Sequence, residues 1–299
     1  MEVDQVGQVR RFNRTVTQRV GALNDEFLAR DRPLGQARVL WEIGPDGCDV
    51  RLLRSRLDLD SGYLSRLLRS LEADGLVAVT QHGVDGRVRT ARLTSLGLAE
   101  RAELDQRAEE AAESILQPLS ARQRARLVSA MAEVERLMIA SMVQVVVVDP
   151  GLPAARSCVR AYFAELGRRF DDGYDPSLGV SATDAEMSPP TGLFLLASLH
   201  EEPVGCGGLK LLADGSAEIK RMWVAPSARG LGLGRRLLAE LEQQAIASLG
   251  SGVVKLETNR NLAEAISLYR SAGYQEVPAF NGEPYAHHWF AKTLSRPAG

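Results

Sequence analysis

The sequence predicts two domains, a mainly helical domain followed by an α/β domain. A length of 299 residues suits two domains of ordinary size. Up to about residue 143 the apolar residues recur at helical spacing, with a single strand-like island, whereas strand-like and helical segments alternate after that point. We therefore expect a boundary near residue 143, which separates a domain over 1–143 from a domain over 144–299.

Composition restricts the function classes. The chain has 45% hydrophobic and 25% charged residues, as ordinary soluble globular proteins do. Its formal net charge of −2 gives no support to bulk attraction to nucleic acid or to an anionic membrane, so any basic site must be local. The first residues lack a signal-peptide pattern, and the most apolar stretch, residues 142–148, is too short to cross a bilayer. We expect a cytoplasmic protein with no membrane partner.

Cysteines and histidines do not form the patterns of disulfide frameworks or metal sites. The cysteines are scattered without a C-x-x-C pair, and the histidines lack H-E-x-x-H spacing. We expect no metal, and a surface or packing role for the adjacent His287 and His288.

Helical periodicity and caps divide the first half. Apolar spacing predicts helices over residues 5–29, 34–44, 49–57, 61–74, 94–117 and 120–142. Asp49 is suited to cap the third helix and Asp60 or Ser61 the fourth, which Gly75 then ends. Alternating residues on both sides of Asp85-Gly86 predict a β-hairpin. Helices followed by a basic hairpin indicate a winged helix-turn-helix.

The fourth helix and the hairpin carry the candidate DNA-binding residues. One face of that helix is a leucine stripe, and the opposite face is short, polar and basic, which suits a major groove but also a solvated surface. The basic surplus between residues 51 and 92 is modest, so tight binding requires two copies on one duplex. The candidates are Ser61, Tyr63, Ser65, Arg66, Arg69, Arg87 and Arg89.

The remaining helices predict a homodimer. Residues 5–29, 94–117 and 120–142 carry more apolar surface than a small wing domain can cover, so they are best explained as a dimer interface. A two-fold dimer would read a pseudo-palindromic site on double-stranded DNA. A dimerisation platform that has lost DNA binding is the alternative.

Residues 5–142 resemble the MarR family of winged-helix transcription regulators. The resemblance rests on LSRLLRSLEADGLV at 64–77 and on DGRVRTARLTSLG at 85–97. It implies that Arg87 reaches the minor groove and that Asp85 orients the wing. Gly86 stands where the family usually has a second basic residue.

The second half contains a glycine-rich anion motif. Arg229, Gly232 and Gly234 form R-x-x-G-x-G between a strand over 217–224 and a helix. Bare glycines let amide N–H groups converge at a helix N-terminus, and Arg229, Arg235 and Arg236 add charge that can hold a pyrophosphate. A Rossmann site wants G-x-G-x-x-G in a βαβ repeat, and a P-loop wants a lysine and a hydroxyl, and neither pattern is present here.

This motif, together with TNRNLAEAISLYRSAGY at 258–274, resembles the GNAT superfamily of acyl-CoA-dependent N-acetyltransferases over residues 145–294. The resemblance implies an α/β fold with a mixed central sheet, in which the thioester of acetyl-CoA lies between two splayed strands near 222–224 and 255–258. The residues that it assigns to acetyl-CoA are Met222, Trp223, Val224, Arg229, Gly230, Leu231, Gly232, Leu233, Gly234, Arg235, Asn261 and Tyr269.

The resemblance also implies catalytic roles. Tyr269 matches the tyrosine that protonates the leaving thiolate, and Glu218 matches a strand glutamate that some branches use as general base, directly or through water. Each has a structural alternative, because Tyr269 could pack in a core and Glu218 could be an inert, exposed acid at a strand end. Asn261 could contact coenzyme A or only cap its helix.

The acceptor is the least constrained part. Its expected walls are the first helix of the second domain with its following loop, and the loop before the last strand: Tyr162, Arg168, Arg169, Asp171, Asp172, Tyr174, Phe280, Asn281, Glu283 and Tyr285. A small amine or amino acid fits these residues better than a protein lysine. The leading hypothesis is a regulator that also acetylates a primary amine. The alternative is a regulator whose second domain senses acyl-CoA without turnover.

Overall fold

The computed structural model describes residues 4–22, 28, 32–82, 88–180 and 182–295. The chain divides into two compact units, Met1–Met131 and Ala132–Gly299. This division falls inside one long helix, Ala121–Met142, so the domain boundary near residue 143 stays a prediction.

The first unit is mainly helical, with one small sheet. Its helices, including the one that continues past residue 131, are α1 Gln5–Arg19, α2 Leu34–Ile43, α3 Val50–Leu57, α4 Ser61–Ala73, α5 Ser95–Leu116 and α6 Ala121–Met142. Its strands are β1 Cys48–Asp49, β2 Val77–His82 and β3 Val88–Leu93, which pair antiparallel in the order β1-β3-β2. This architecture confirms the winged helix-turn-helix.

Side-chain hydrogen bonds cap the N-termini of α3 and α4. The Asp49 carboxylate accepts from the Arg51 amide at 2.7 Å before α3, and the Asp60 carboxylate accepts from the Tyr63 amide at 2.8 Å before α4. Gly75, with a φ of 72°, follows the end of α4. The predicted caps are confirmed, and the leucine stripe of α4 is buried as expected.

The predicted helix over 5–29 is too long. α1 ends at Arg19, and Gly21 adopts a φ of 68°, a left-handed conformation that a continuing helix cannot use. Residues 23–27 and 29–31 lie outside the described part of the chain. Neither α1 nor α6 buries any of its residues in the single chain.

The second unit is built on a seven-stranded sheet, and its mixed character is as predicted. Its elements are β4 Gln144–Val148, α7 Pro153–Arg169, β5 Gly192–Leu199, β6 Glu202–Leu211, β7 Ala217–Val224, α8 Leu233–Ala247, β8 Val253–Thr258, α9 Ala263–Ser271, β9 Gln275–Val277 and β10 His288–Thr293. The strand order is β4-β5-β6-β7-β8-β10-β9, and only β7 and β8 run parallel. The short strand β9 was not predicted.

A tight turn connects β5 and β6. His200 and Glu201 adopt φ values of 52° and 64°, so these two residues make the turn. Glu202 and Pro203 belong to β6.

None of the described helices is long and apolar enough to span a membrane.

The parallel strands β7 and β8 separate soon after they meet. They pair only at Ala217 with Val254 and at Glu218 with Lys255. Beyond these pairs β7 continues against β6, where its register shifts near Arg221, a residue with a φ of 55°. β8 continues against β10. The outer halves of β7 and β8 therefore border an opening in the sheet, at the position that the sequence predicts.

We predict that Gly192→Ala destabilises the second unit by about 1–3 kcal/mol. A Cβ at residue 192 would overlap the backbone carbonyl oxygens of Glu186 and Leu209, and backbone cannot rotate away as a side chain can. Gly252→Ala is the matched control, because a Cβ there meets no atom within 4 Å. Urea unfolding of both variants in a Trp41→Phe background, followed by the fluorescence of Trp223 and Trp289, measures the difference. Equal midpoints for the two variants would contradict the prediction.

Candidate functional site

A groove with a volume of about 500 Å³ lies beside the opening between β7 and β8. It is bordered by α7, the outer half of β7, the start of α8, and α9. Ten of the twelve residues predicted to bind acetyl-CoA line this groove: Met222, Trp223, Val224, Arg229, Gly230, Gly232, Leu233, Gly234, Arg235 and Tyr269. The exceptions are Leu231 and Asn261.

The two exceptions have structural contacts. Leu231 packs against the hydrophobic core of the sheet. The Asn261 side-chain amide donates to the Arg169 carbonyl at 2.9 Å and to Asp171 at 3.1 Å, so it ties the start of α9 to the end of α7. Leu262, which supplies no side-chain cap, occupies the N-cap position of α9.

The start of α8 is shaped to receive an anion. Gly230 and Gly232 have φ values of 79° and 75°, and a Cβ at either would meet no neighbouring atom within 4 Å. Gly232 is the N-cap of α8, and the first intrahelical bond runs from the Arg236 amide to the Gly232 carbonyl at 3.1 Å. The backbone N–H groups of Leu233, Gly234 and Arg235 therefore have no hydrogen-bond acceptor within the helix. They lie at the positive end of the helix dipole.

The arginines of the motif have separate partners. Nη2 of Arg229 donates to both oxygens of Glu165, at 2.7 and 2.6 Å, so its charge is largely neutralised. Arg235 lines the groove and donates to the Ser271 hydroxyl at 2.8 Å. Arg236 instead donates to the Val143 carbonyl at 2.8 Å, and it does not line the groove. The expectation that Arg236 adds charge at the anion site is therefore wrong.

Glu165 is a functional-site residue that the sequence did not reveal. It lies on α7, its side chain is 11% exposed, and it also accepts from the Trp223 indole N–H at 2.8 Å. Burial raises the pKa of Glu165, but the hydrogen bonds from Arg229 and Trp223 outweigh burial and hold it below its ordinary value. Glu165 thus fixes Arg229 and Trp223 at the wall of the groove.

A second, smaller cavity of about 180 Å³ meets the groove. The residues common to both walls are Tyr162, Leu166, Met222, Leu262, Ala265 and Tyr269. Tyr269 is 6% exposed, and burial together with the Glu257 carboxylate raises the pKa of its hydroxyl well above the usual range. The Tyr269 hydroxyl therefore keeps its proton at neutral pH, at a point that both cavities reach.

Aromatic rings form one side of the smaller cavity. Tyr174 contacts Phe163, Phe170 and Tyr285, with ring centroids 5.5, 5.7 and 4.8 Å apart. Of the expected acceptor walls, Tyr162, Tyr174, Glu283 and Tyr285 line this cavity, whereas Arg169 lines the groove. The remaining expected residues line neither: Arg168, Asp171, Asp172, Phe280 and Asn281.

The two glutamates nearest the opening differ in access. Glu218 lines neither cavity and is 1% exposed, so the alternative of an exposed acid at a strand end is wrong. Glu257, on β8, lines the smaller cavity and forms an ion pair with Lys220. Burial, which Lys220 offsets only in part, and the nearby Glu218 raise the pKa of Glu257 to about 7. Of these two glutamates, Glu257 is the one that a bound acceptor can reach.

Glu257 was not singled out from the sequence, although a signal was present. It lies within VVKLETN, the strand expected to border the opening. The side chains of β8 alternate between the two faces of the sheet, so an acid in the half that no longer pairs with β7 belongs on one wall of the opening. His288 contacts Glu276 at 2.6 Å, and neither His287 nor His288 lines the cavities. The described residues contain no cluster of metal-binding side chains.

The candidate DNA-binding residues lie on α4 and on the hairpin. Ser61, Tyr63, Arg66 and Arg69 are exposed on α4, while Ser65 and Arg89 are half-buried. The guanidinium of Arg66 lies 5.6 Å from the centre of the Tyr63 ring. Arg87, like Asp85 and Gly86, lies outside the described residues.

Two family models match this chain. Residues 159–274 match that of the acetyltransferase (GNAT) family, and residues 31–88 match that of the MarR family. An IAA acetyltransferase of Azospirillum brasilense is 34% identical over 134 residues, which cover 44% of this chain and 86% of the relative. The N-alpha-acetyltransferase RimI of Mycobacterium tuberculosis is 34% identical over 117 residues, covering 38% and 71%.

Solved structures are similar to about half of the chain. A GNAT-family acetyltransferase structure from Staphylococcus aureus is 17% identical, with a TM-score of 0.44. It covers 51% of this chain and 99% of that one.

We predict that Glu165→Gln lowers the free energy of unfolding by about 1–2 kcal/mol near pH 7, because Arg229 and Trp223 lose a charged acceptor. The folded-state pKa of Glu165 is depressed, so its contribution is complete above the unfolded-state pKa of roughly 4.3 and is lost as the pH falls through the folded value. The gap between wild type and variant should therefore close below about pH 4 in urea titrations.

Glu264→Gln is the control for Glu165. Its side chain is 77% exposed and pairs with Arg169 at 2.7 Å, so its removal should cost less than about 0.5 kcal/mol. A gap for Glu165→Gln that stays constant down to pH 3 would contradict an ionised Glu165.

Proposed function

Because this chain belongs to the acetyltransferase (GNAT) family and carries a MarR-family domain ahead of its acetyltransferase domain, we propose that it is a DNA-binding regulator that also transfers an acetyl group from acetyl-CoA to a primary amine. The observation that carries the enzymatic part is the junction of two cavities at Tyr269, beside the opening between β7 and β8. One cavity ends at a helix N-terminus suited to phosphates, and the other presents a base of suitable pKa.

The groove provides what acetyl-CoA needs. The amides of residues 230–235 are placed to bind the pyrophosphate, where the missing Cβ atoms of Gly230 and Gly232 leave room for close approach. The outer half of β7 has no strand partner on the side of β8, which leaves room for the pantetheine arm to pair with the backbone at 222–224. The Val224 carbonyl already accepts from Arg229 Nε at 3.2 Å, so the arm would share or replace that bond. In this arrangement the thioester lies in the opening, next to Tyr269.

In this proposal Glu257 deprotonates the acceptor, and Tyr269 protonates the leaving thiolate. An amine attacks only when it is neutral, so Glu257 takes one proton from the acceptor ammonium. The amine nitrogen then bonds to the thioester carbon and the C–S bond breaks, with the electron pair leaving on sulfur. Tyr269 is placed to protonate this thiolate and then to recover the proton that the new amide nitrogen loses. Each turnover thus releases one proton to solvent through Glu257.

The smaller cavity favours a small acceptor. Its volume of about 180 Å³ and its wall of aromatic rings suit a small amine or an amino acid better than a lysine presented on a protein surface. Arg221 also lines this cavity and stacks 5.5 Å from the Phe163 ring, which would suit an acceptor that carries a carboxylate.

Surface features of the first domain support the binding of DNA by a two-fold dimer. α4 presents Arg66 and Arg69 to solvent above a fully buried leucine stripe, as a major-groove helix requires. α1 and α6 leave apolar side chains exposed, among them Val6 at 70% and Leu137 at 60%, and a homodimer would cover them. We infer a homodimer on a pseudo-palindromic operator in double-stranded DNA, and hence a cytoplasmic protein.

We predict that the wild type releases coenzyme A from acetyl-CoA with at least one member of a panel of small amines and amino acids, measured by a thiol assay. Gly232→Glu should reduce kcat/KM by about 100-fold or more, because it strains the loop and displaces several charge-assisted hydrogen bonds of about 1.5–3 kcal/mol each. Gly250→Glu is the matched control, since Gly250 is also left-handed and open but does not line the groove.

The two readings of the acetyltransferase domain give different results in this assay. Acetyl-CoA binding without turnover of any amine would favour a domain that only senses acyl-CoA. Equal loss of activity in Gly232→Glu and Gly250→Glu would count against a phosphate site at α8.

We predict that Arg66→Ala and Arg69→Ala each weaken binding to DNA from the protein's own promoter by about tenfold, the cost of one lost base or phosphate contact. Arg160→Ala is the control, because it removes the same charge from the exposed side of α7. Fluorescence anisotropy at several salt concentrations measures the affinities. A wild type that fails to bind at low salt would leave the first domain as a dimerisation platform.

A further inference from the structure

Four charged side chains form a buried charge cluster at the inner end of the opening between β7 and β8. Lys210 lies on β6, Glu218 and Lys220 on β7, and Glu257 on β8. All are at most 10% exposed as side chains, and two cations balance two anions. Only Lys220 and Glu257 line the acceptor cavity. Buried charges are costly unless paired, so this cluster needs a functional or structural reason.

Glu218 is the shared member of the cluster. Its Oε1 lies 3.5 Å from the Lys220 ammonium, and its Oε2 lies 3.4 Å from the Lys210 ammonium. Lys220 also pairs with Glu257, so the two carboxylates divide one cation between them. Lys210 connects the buried cluster to the surface, because its ammonium also lies 3.6 Å from Glu186, whose side chain is 46% exposed.

Asn281 joins the same two carboxylates from the loop before β10. Its Nδ2 donates to Glu218 at 2.9 Å and approaches Glu257 at 3.4 Å. Its Oδ1 accepts from the Trp289 indole N–H at 2.9 Å. Because an indole nitrogen only donates, this bond fixes the amide orientation and keeps its NH₂ group toward the carboxylates. Both the charge and the position of Glu257 therefore depend on groups outside the cavity.

We propose that Glu218 is a positioning residue for acetyl transfer, which shares Lys220 and Asn281 with Glu257 and so sets the pH at which Glu257 can accept the acceptor's proton. This inference rests on the proposed function and goes beyond it. Glu218 does not touch either cavity, so it acts through Glu257 rather than on substrate.

Charged groups from β7 and tyrosine hydroxyls face Glu257. From β7, Lys220 and Glu218 face Glu257, and the Glu283 carboxylate, in the loop before β10, raises the pKa of Lys220. Although burial lowers the pKa of Lys220, the carboxylates more than offset burial and keep it charged. The hydroxyls that face Glu257 belong to Tyr162, Tyr174 and Tyr269, and burial raises the pKa of all three, so they stay neutral.

The charge cluster predicts that Glu218→Gln and Lys210→Gln shift the pH profile of kcat/KM in opposite directions. In Glu218→Gln, Lys220 serves Glu257 alone, so the acidic limb of the kcat/KM profile should move to lower pH by about one unit or more. In Lys210→Gln, Glu218 loses its other cation and draws Lys220 away from Glu257, so the limb should move to higher pH. Comparing variants on one acceptor cancels the titration of the acceptor amine itself.

A second readout does not need turnover. Protein labelled with ¹³C at glutamate Cδ reports each carboxyl by its chemical shift, and Glu257→Gln assigns the resonance of Glu257. The titration midpoint of Glu257 should fall in Glu218→Gln and rise in Lys210→Gln. If no amine is acetylated, the proposed function fails while this titration still decides the role of Glu218.

Glu242→Gln is the control. Glu242 is a mostly buried acid that pairs with Lys292 at 2.7 Å and lines neither cavity, so its loss should leave the limb and the Glu257 midpoint in place. A Glu218→Gln enzyme with a large loss of kcat and no shift of either readout would overturn the proposal. Abolition of the acidic limb would assign the base to Glu218 itself.

Discussion

The separation of β7 and β8 after two paired residues creates the opening around which the candidate site of the second domain is built. Parallel strands ordinarily continue their ladder, because unpaired backbone groups inside a sheet cost free energy unless another group satisfies them. Here the register shift in β7, with Arg221 in a left-handed conformation, turns the outer half of the strand away from β8. The opening that results brings backbone from β7, a carboxylate from β8 and the hydroxyl of Tyr269 to one place.

The surrounding packing holds this opening without filling it. Three leucines of α8, Leu237, Leu238 and Leu241, are buried against the sheet and fix the helix whose first amides face the groove. On the other side, Glu165 of α7 holds Arg229 and Trp223 through hydrogen bonds of 2.6–2.8 Å. The groove therefore has one wall fixed by apolar burial and another fixed by a buried carboxylate.

Local sequence signals predicted the elements but not the long-range pairs. The glycine motif, the caps of α3 and α4 and the leucine stripe each depend on residues a few positions apart, so the sequence displays them directly. The partner of Arg229 lies 64 residues away on α7, and no pattern in the sequence connects the two. For the same reason the family motif points to Glu218 as the base, whereas in the structure Glu257, and not Glu218, lines the smaller cavity. The over-long first helix shows the converse, because one left-handed glycine, Gly21, overrides a continuing apolar pattern.

We propose that the opening between β7 and β8, with the start of α8, receives acetyl-CoA. Hydrogen–deuterium exchange of the full chain with and without saturating coenzyme A tests it most directly. Slower exchange at the amides of residues 222–224 and 230–235, with little change elsewhere in the sheet, is the expected result. Unchanged exchange in both segments while coenzyme A is bound would contradict the claim.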